Sequence, residues 1–496
     1  MDRYLVTFTA REDGTSKFRP GPNQWGFFPA ASAAWRMSEE EFMSGQSLFS
    51  NLKLRLSYGE VGNVRIGNTL YKLDYSIKNS KTYSIGDQPN NYYGATNAQL
   101  PNPDLKWETT ITRDLGLDFG LWDDRISGMV DVYWNTTKDL LIASSIVAPG
   151  YTTQYQNVGQ TSNRGIEFSF NSYLIEKKNM TLSANFNIGF NRSNVDKLAE
   201  GVDVQEYASG WASTDMKGYY DFHVRVGKPV GMMYGFVTDG YYTTDDFEYW
   251  NSTTDYKLKA GVPDIGLLGG VIGVRPGTVK FKNLDDDATK VDENDRTYIG
   301  NANPDFVGGF GLNATYHGFD ASMLFSFVYG NDVYNANKIA TSQRYRTTYT
   351  NLLNSMNPAN SYRYLDASGE IVTDLATLKA MNEEGANKKN MWSPHSFGNA
   401  VTALHSWAIE DGSFLRLQNV TLGYTLPRDV SMRVGCEQFR VYCTLNNVFV
   451  LTNYSGYDPE VNTALRNSST SGITPGVDYS GYPKSLSTTI GLNLTF

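Results

Sequence analysis

The chain has 496 residues, is 40% hydrophobic and 14% aromatic, and carries a formal net charge of −9, with a pI near 5.1 and a mean hydropathy of −0.41. The acidic balance, with no Lys/Arg cluster interleaved with aromatics, excludes a nucleic-acid partner; no run approaches the ~18 apolar residues of a transmembrane helix; two cysteines, Cys436 and Cys443, make no disulfide framework. The 33 Tyr and 46 Gly, with abundant Asn and Thr, favour strands and turns.

The opening residues, MDRYLVTFTAR, lack the basic and apolar regions of a signal peptide. They alternate instead, Tyr4, Val6 and Phe8 against Leu5, Thr7 and Thr9. The chain thus opens in strand phase, and Met1 is not expected to begin a complete exported precursor. Strands are predicted over 3–11, over 25–38 with Trp25, Phe27 and Trp35 on one face, and over 51–62 with Leu52, Leu54, Leu56 and Tyr58 alternating. A polar loop is expected over 63–106.

Trp107 to Leu141 holds the most informative pattern. Ile111, Leu115, Leu117, Phe119 and Leu121 share a face, interrupted by Arg113, and Glu108, Asp114, Gly116 and Asp118 share the other. After an Asp123-Asp124 turn, Ile126, Val130, Val132 and Trp134 oppose Ser127, Asp131 and Asn135. Sustained period-two alternation predicts two paired antiparallel strands with one apolar face, longer than the usual ~5–6 residues.

A second hairpin is predicted with Ile166, Phe168, Phe170 and Leu174 on one strand and Met180, Leu182, Ala184, Phe186, Ile188 and Phe190 on the other. A long excursion, 194–304, is rich in Gly, Asp and Tyr. A third hairpin pairs Phe310–Tyr316 with Phe319–Phe327 through His317-Gly318. The next excursion, 335–411, contains the only plausible short helix, DLATLKAMNEEG. Strands follow over 413–426, 438–451 and 485–496, the last ending on Phe496 in phase with its apolar residues.

Roughly twelve strands result. Tight turns at 122–125, 176–179 and 317–318 alternate with links tens of residues long. This is the plan of a transmembrane β-barrel, with short periplasmic turns and long extracellular loops. A sandwich would turn every ~8–12 residues, and no fixed repeat marks a propeller or solenoid.

Eight runs, in order, carry a family resemblance: NPDLKWETT (102–110), RISGMVDVYWNTTKDLL (125–141), VGQTSNRGIEFSF (158–170), VGKPVGMMYGFVTDGYYTTDDF (226–247), IGNANPDFVGGF (299–310), FLRLQNVTLGYTLP (414–427), LNNVFVLTNYSGYDPEVN (445–462) and GVDYSGYP (476–483). Over 51–496 the chain resembles the C-terminal part of SusC/RagA-family TonB-dependent outer-membrane transporters. The resemblance implies that 1–496 is the C-terminal half of a 22-stranded antiparallel barrel in a Gram-negative outer membrane. It implies import of large nutrients, glycans or peptides, with a SusD-like surface lipoprotein as lid. TonB would supply energy through an N-terminal plug. The family's signal peptide, N-terminal extension domain, TonB box and plug are not found here, so the chain is expected to be a fragment, a split gene product or an incomplete assembly. Pro483 is followed by Lys484-Ser485-Leu486 rather than the family's Arg-Thr.

In NLDDDATKVDENDR, Asn283, Asp285 and Asp287 alternate and Asp292 and Asp295 follow. Alternating oxygens at this spacing begin a calcium loop, and the family often has an EF-hand-like run here. The departures are Ala288 in place of the turn glycine and Asn294 at the twelfth position. A solvated acidic loop is the plainer alternative. Excursion aromatics Trp211, Tyr219, Tyr220, Tyr241, Tyr242, Tyr249 and Trp250 are candidates to stack on sugar rings, pack peptide side chains or meet the lid; loop packing is the alternative for each. Trp107, Trp122 and Trp134 suit an interfacial girdle. VGKPVG lacks the GxxxxGK[ST] pattern of a phosphate loop and reads as a β-turn. The scattered His223, His317, His395 and His405 lack zinc spacing. No nucleophile–base arrangement stands out, and no enzyme activity is expected.

Two further readings stay open: a non-transporting surface glycan-binding protein or adhesin, and a fragment inactive alone. On the barrel reading, Leu115, Leu117, Phe119, Val130 and Val132 face lipid and Asp114, Asp118 and Asp131 face the lumen. Arg113 falls on the apolar face, so it is expected near the bilayer edge or turned inward by a bulge.

Overall fold

The computed structural model describes residues 3–73, 99–149, 151–211, 220–266, 273–285, 287, 289–342, 351–394, 404–463 and 472–496, with backbone alone for 75–85, 88–95 and 145. One sheet runs the length of the chain. Its wall strands are β1 (Tyr4–Gly14), β2 (Trp25–Arg36), β3 (Phe49–Asn63), β4 (Glu108–Leu121), β5 (Ile126–Ala148), β6 (Tyr151–Lys177), β7 (Met180–Lys197), β8 (Phe306–Tyr316), β9 (Phe319–Tyr329), β10 (Phe414–Thr425), β11 (Gln438–Thr452) and β12 (Ser487–Thr495). Each pairs with the next in sequence, and the two-residue strand Gln99–Leu100 adds to β6. Among the described residues β1 and β12 do not pair, so the sheet is an open wall.

Register keeps the alternation coherent from strand to strand. Leu56, Leu115, Val132, Ile166 and Phe190 are successive partners across β3 to β7. Phe186, Phe310, Phe325, Leu417 and Phe449 continue an apolar row from β7 to β11. Phe310 and Phe325 stack with centroids 4.5 Å apart. A one-residue slip would send every one of these side chains to the opposite face. The apolar face is left bare: Phe8, Phe27, Phe319, Leu451, Ile490 and Phe496 are all exposed. So continuous an apolar surface far exceeds the few hundred Å² a water-soluble monomer leaves open. It suits a wall set in hydrocarbon, and no helix is long and apolar enough to cross a membrane.

Connections alternate between the two ends of the wall. At the turn end, β4 meets β5 through 122–125, β6 meets β7 through 178–179, and β8 meets β9 through His317 and Gly318, both at positive φ. At the other end lie the long links. β5 and β6 depart from expectation here, running 23 and 27 residues and pairing out to Ala148 and Tyr151. The distal half of β6 is rich in Thr, Gln and Asn on both faces and that of β5 is a continuous run of apolar and small residues, LLIASSIVA, so no apolar alternation announces either; beyond the bilayer a strand needs no lipid face. The expected loop 63–106 likewise contains a paired hairpin, Tyr75–Ile85 with Gln88–Ala95.

The two long excursions fold together with 453–486 into a packed block. One core gathers Phe236, Tyr242, Phe281, Met356 and Trp392; another gathers Trp211, Phe222, Met233, Tyr334, Leu404 and Val477. Glu383 ties the excursions by accepting from the Thr244 amide and hydroxyl, each at 2.8 Å. The expected helix is present over Leu375–Asn382, with Asp374 capping it through the Thr377 amide. It is not alone: Ala336–Thr341 and Arg428–Ser431 are also helical, too short for periodicity to reveal.

Candidate functional site

The polar face of the wall is organised around Arg55. It lies 2.8 Å from both Asp118 and Asp131 and 3.9 Å from Asp114, while Lys53 reaches Asp118 at 2.6 Å. The three aspartates thus share the face opposite Leu115, Leu117 and Val132. Lys53 and Arg55 escaped notice, although their alternation with Leu52, Leu54 and Leu56 carried the signal. Cross-strand ion pairs on this face fix register where the apolar face offers no directional bonds.

Above this ladder the distal halves of β5 and β6 form one side of a cavity of about 1130 Å³. Ser144, Gln154, Gln156 and Asn157 line it, with Asn102 to Lys106 beside them and Glu200, Gln205, Glu206 and Tyr220 opposite. The amides hold one another in place. Gln156 donates to Gln154 at 2.9 Å, Gln154 to the Pro101 carbonyl at 3.0 Å, and Asn157 to the Lys106 and Asp139 carbonyls at 2.8 Å each. The Ser144 hydroxyl is buried without a partner among the described residues. On the far wall Glu206 is 2.9 Å from His223 and 3.6 Å from Arg296. Burial lowers the His223 pKa and Glu206 opposes that shift. The lining offers donors and acceptors to a polar, elongated ligand, and no nucleophile is paired with a base.

The excursion aromatics separate sharply. Trp211 and Tyr242 are buried, so for these two candidates the loop-packing alternative holds rather than ligand contact. Trp211 donates to the Tyr334 hydroxyl at 2.6 Å inside a core, and Tyr242 donates to the Pro263 carbonyl at 2.6 Å. Tyr241 packs edge-on against Tyr362 and donates to the Lys389 carbonyl; Trp250 donates to the Val274 carbonyl. Tyr220 and Tyr249 are exposed, and Tyr220 lines the cavity. Tyr219 lies outside the described residues, as does His395. Trp122 and Trp134 are exposed, whereas Trp107 packs against Phe18 and Phe28 and donates to the Gln24 carbonyl, so it leaves the expected girdle.

Of the five acidic-loop positions, Asp285, Asp292 and Asp295 bring carboxylate oxygens within 4.8 Å of one another. Asn283 and Asp287 do not join them: the Asn283 amide donates to the Lys290 carbonyl, and Asp287 accepts from Thr289 and faces Lys290. Three converging carboxylates fit a hard cation in donor chemistry. Two features fit it less well: Asp295 already accepts backbone amides of Leu284, Asp285 and Asp292, and Lys290 pairs with Asp292 at 2.9 Å.

A meandering wall with one bare apolar face, ionic pairs on the other, tight turns at one end and packed loops at the other defines an outer-membrane β-barrel. The chain belongs to the TonB-dependent receptor-like β-barrel family, whose model matches residues 1–271. It is similar to members of the SusC/RagA branch. It is 30% identical to TonB-dependent receptor P3 of Formosa agariphila over 498 residues, covering 100% of this chain and 44% of that protein. It is 28% identical to TonB-dependent receptor SusC of Bacteroides thetaiotaomicron over 522 residues, covering 100% and 42%. The RagAB peptide importer in its closed-closed state matches with a TM-score of 0.71 at 23% identity, covering 100% of this chain and 46% of the other, a likeness of fold. The chain therefore spans less than half the length of the curated relatives it matches. Localisation to the outer membrane follows, the bare apolar face meeting lipid.

Proposed function

We propose that the chain forms, over 1–496, the C-terminal wall and outer vestibule of an importer of large nutrients, glycans or peptides. TonB would drive it through a plug region, and a SusD-like lipoprotein would close over the packed block. The observation that carries this reading is the amide-lined cavity at the loop end, built in part on β5, the strand that also carries Asp131 of the ionic ladder. Gln154, Gln156, Asn157 and Tyr220 combine hydrogen-bonding amides with an exposed ring, which suits the hydroxyls of a sugar or the backbone of a peptide. RagAB is a peptide importer by its description, and that lends weight to the peptide arm.

Uptake tests the proposal. Cells making the protein in its full outer-membrane setting are fed labelled oligosaccharide and peptide pools, with and without a proton uncoupler. Energy-dependent uptake of one pool, reduced by Gln154→Ala with Gln156→Ala, is expected. Binding without uptake would instead support a surface adhesin. Calcium is proposed at Asp285, Asp292 and Asp295, with terbium luminescence as its test: signal that calcium displaces and Asp292→Asn removes is expected, and no signal sinks it.

A further inference from the structure

One feature of the lipid-facing side does not serve import. Immediately above the row Leu56, Leu115, Val132, Ile166 and Phe190, the next paired row reads Tyr58, Arg113, Trp134, Arg164 and Arg192. Three arginines thus stand on the apolar face at one level of the sheet. No register shift separates them from the apolar rows just below, which run unbroken from Arg113 to Leu121 and from Arg192 to Ser183. Met180 to Phe190 spans about 25 Å along the membrane normal, at ~3.3 Å per residue and ~40° tilt. That is the height of the apolar band, so Arg192 and Arg164 stand at its upper rim.

Arg164 and Arg192 are direct cross-strand partners, and like charges placed so are destabilising without a counter-ion. Arg192 is paired to Asp305 at 2.8 Å. Arg164 is exposed and forms no ion pair among the described residues. Between them a groove of about 680 Å³ opens on the wall, with Val132, Ile166 and Phe190 below and Trp134 alongside. An apolar floor capped by guanidinium groups at the rim is complementary to one kind of occupant. We propose that this groove holds a phosphorylated lipid of the outer leaflet, its acyl chain along Val132, Ile166 and Phe190 and its phosphate on Arg164 and Arg192. Guanidinium forks match phosphate oxygens and are weakly hydrated, which suits the interface. Trp134 sits where an aromatic ring meets the headgroup layer.

The test uses the protein extracted in detergent from the outer membrane of cells that make it, delipidated, then offered phosphatidylglycerol, phosphatidylcholine or inorganic phosphate. Native mass spectrometry should show retained phosphatidylglycerol in about tenfold excess over phosphatidylcholine, with inorganic phosphate at matched concentration failing to displace it. Arg164→Gln with Arg192→Gln should erase that preference, Arg164→Lys with Arg192→Lys should keep most of it, and Lys178→Gln at the turn end should leave it unchanged. Equal retention of the two lipids by the unaltered protein, which needs no variant to fold, overturns the proposal. Displacement by inorganic phosphate overturns the lipid assignment, and an unchanged preference in the glutamine variant overturns the residues.

Discussion

The wall and the packed block solve opposite solvent problems with the same residue types. In the wall, apolar side chains point outward and ion pairs such as Arg55–Asp118 point inward. In the block, aromatics such as Tyr242, Phe281 and Tyr334 are wholly enclosed, together with a few charged groups such as Asp221 and Asp295. Burial within the chain therefore means different things in the two regions. An exposed Phe496 is complete only when lipid covers it, whereas an enclosed Tyr334 has all its partners within the protein. The wall's stability belongs to the membrane it occupies; the block's belongs to its own packing.

The junction between the regions should give the largest effect. Arg416 on β10 is 3% exposed and meets Asp458 at 2.6 Å and Glu460 at 3.2 Å. Removing Asp458 leaves the buried guanidinium only the partly exposed Glu460, so Asp458→Ala should cost about 3 kcal/mol. Replacing both by apolar residues, Arg416→Met with Asp458→Leu, should recover most of it. Chemical unfolding followed by tryptophan fluorescence reads both; a neutral single variant would show that wall and block are not coupled here.

The facing of the wall itself comes next. Phe186→Arg puts a guanidinium on the lipid face near mid-membrane and should cost about 2–4 kcal/mol, while the same change at the neighbouring Asn187, on the polar face, should cost under about 1 kcal/mol. Heat-modifiable migration on gels should be lost for the first and kept for the second. Equal outcomes would break the assignment of faces. Arg113 is the natural control: it lies between Tyr58 and Trp134 in the register and donates to Thr136 at 3.4 Å, about 23 Å above its turn at ~3.3 Å per residue and ~40° tilt. The arginine that looked out of place on the apolar face is placed where an arginine costs little.

In the block, pH separates two buried groups. Burial raises the Asp221 carboxyl to about 6, against hydrogen bonds from Ser209. Its folded pKa exceeds the unfolded one, so its contribution is complete below ~pH 4 and is lost as pH rises through about 6. Burial lowers His405 to about 3; its contribution is present above ~pH 6.5 and is lost on acidification. Asp221→Asn should therefore raise stability by about 1–3 kcal/mol at pH 7.5 and by little at pH 4. With the Asp221 slope gone, stability should fall steadily as pH drops from 7 to 4. Thermal unfolding across that range decides it, and a pH-independent gain would refute the ionisation argument.

What could be seen in the sequence follows the same division. Strand after strand of the wall was legible, from Tyr4 to Thr495, because lipid on one side and water on the other impose a period of two. Where β5 and β6 rise out of the bilayer that constraint ends, and with it the pattern; the amides lining the cavity lie in that silent stretch. In the block, Trp211 and Tyr249 look alike as letters. Whether a ring closes a core or faces water depends on partners more than a hundred residues away, such as Tyr334 for Trp211, and no local pattern reports them.

The smallest effect on stability should come from the two aromatics that remained outside. Tyr220 and Tyr249 are both exposed, at 45% and 44%, so either Tyr→Ala change should alter stability by no more than about 0.5 kcal/mol. Their functional consequences should differ. Tyr220 stands on the cavity rim opposite Gln154 and Gln156, while Tyr249 lies on the hairpin Phe247–Ser252 with Asp255–Leu258, away from that lining. On the proposed import reading, Tyr220→Ala should weaken ligand retention about tenfold, in line with losing one stacking ring of ~1–1.5 kcal/mol, and Tyr249→Ala should leave it unchanged. Ligand-dependent fluorescence or uptake at limiting concentration measures the difference. If Tyr249 proves the sensitive one, the ligand meets the outer surface of the block, and the cavity beneath Tyr220 is a passage rather than a binding site.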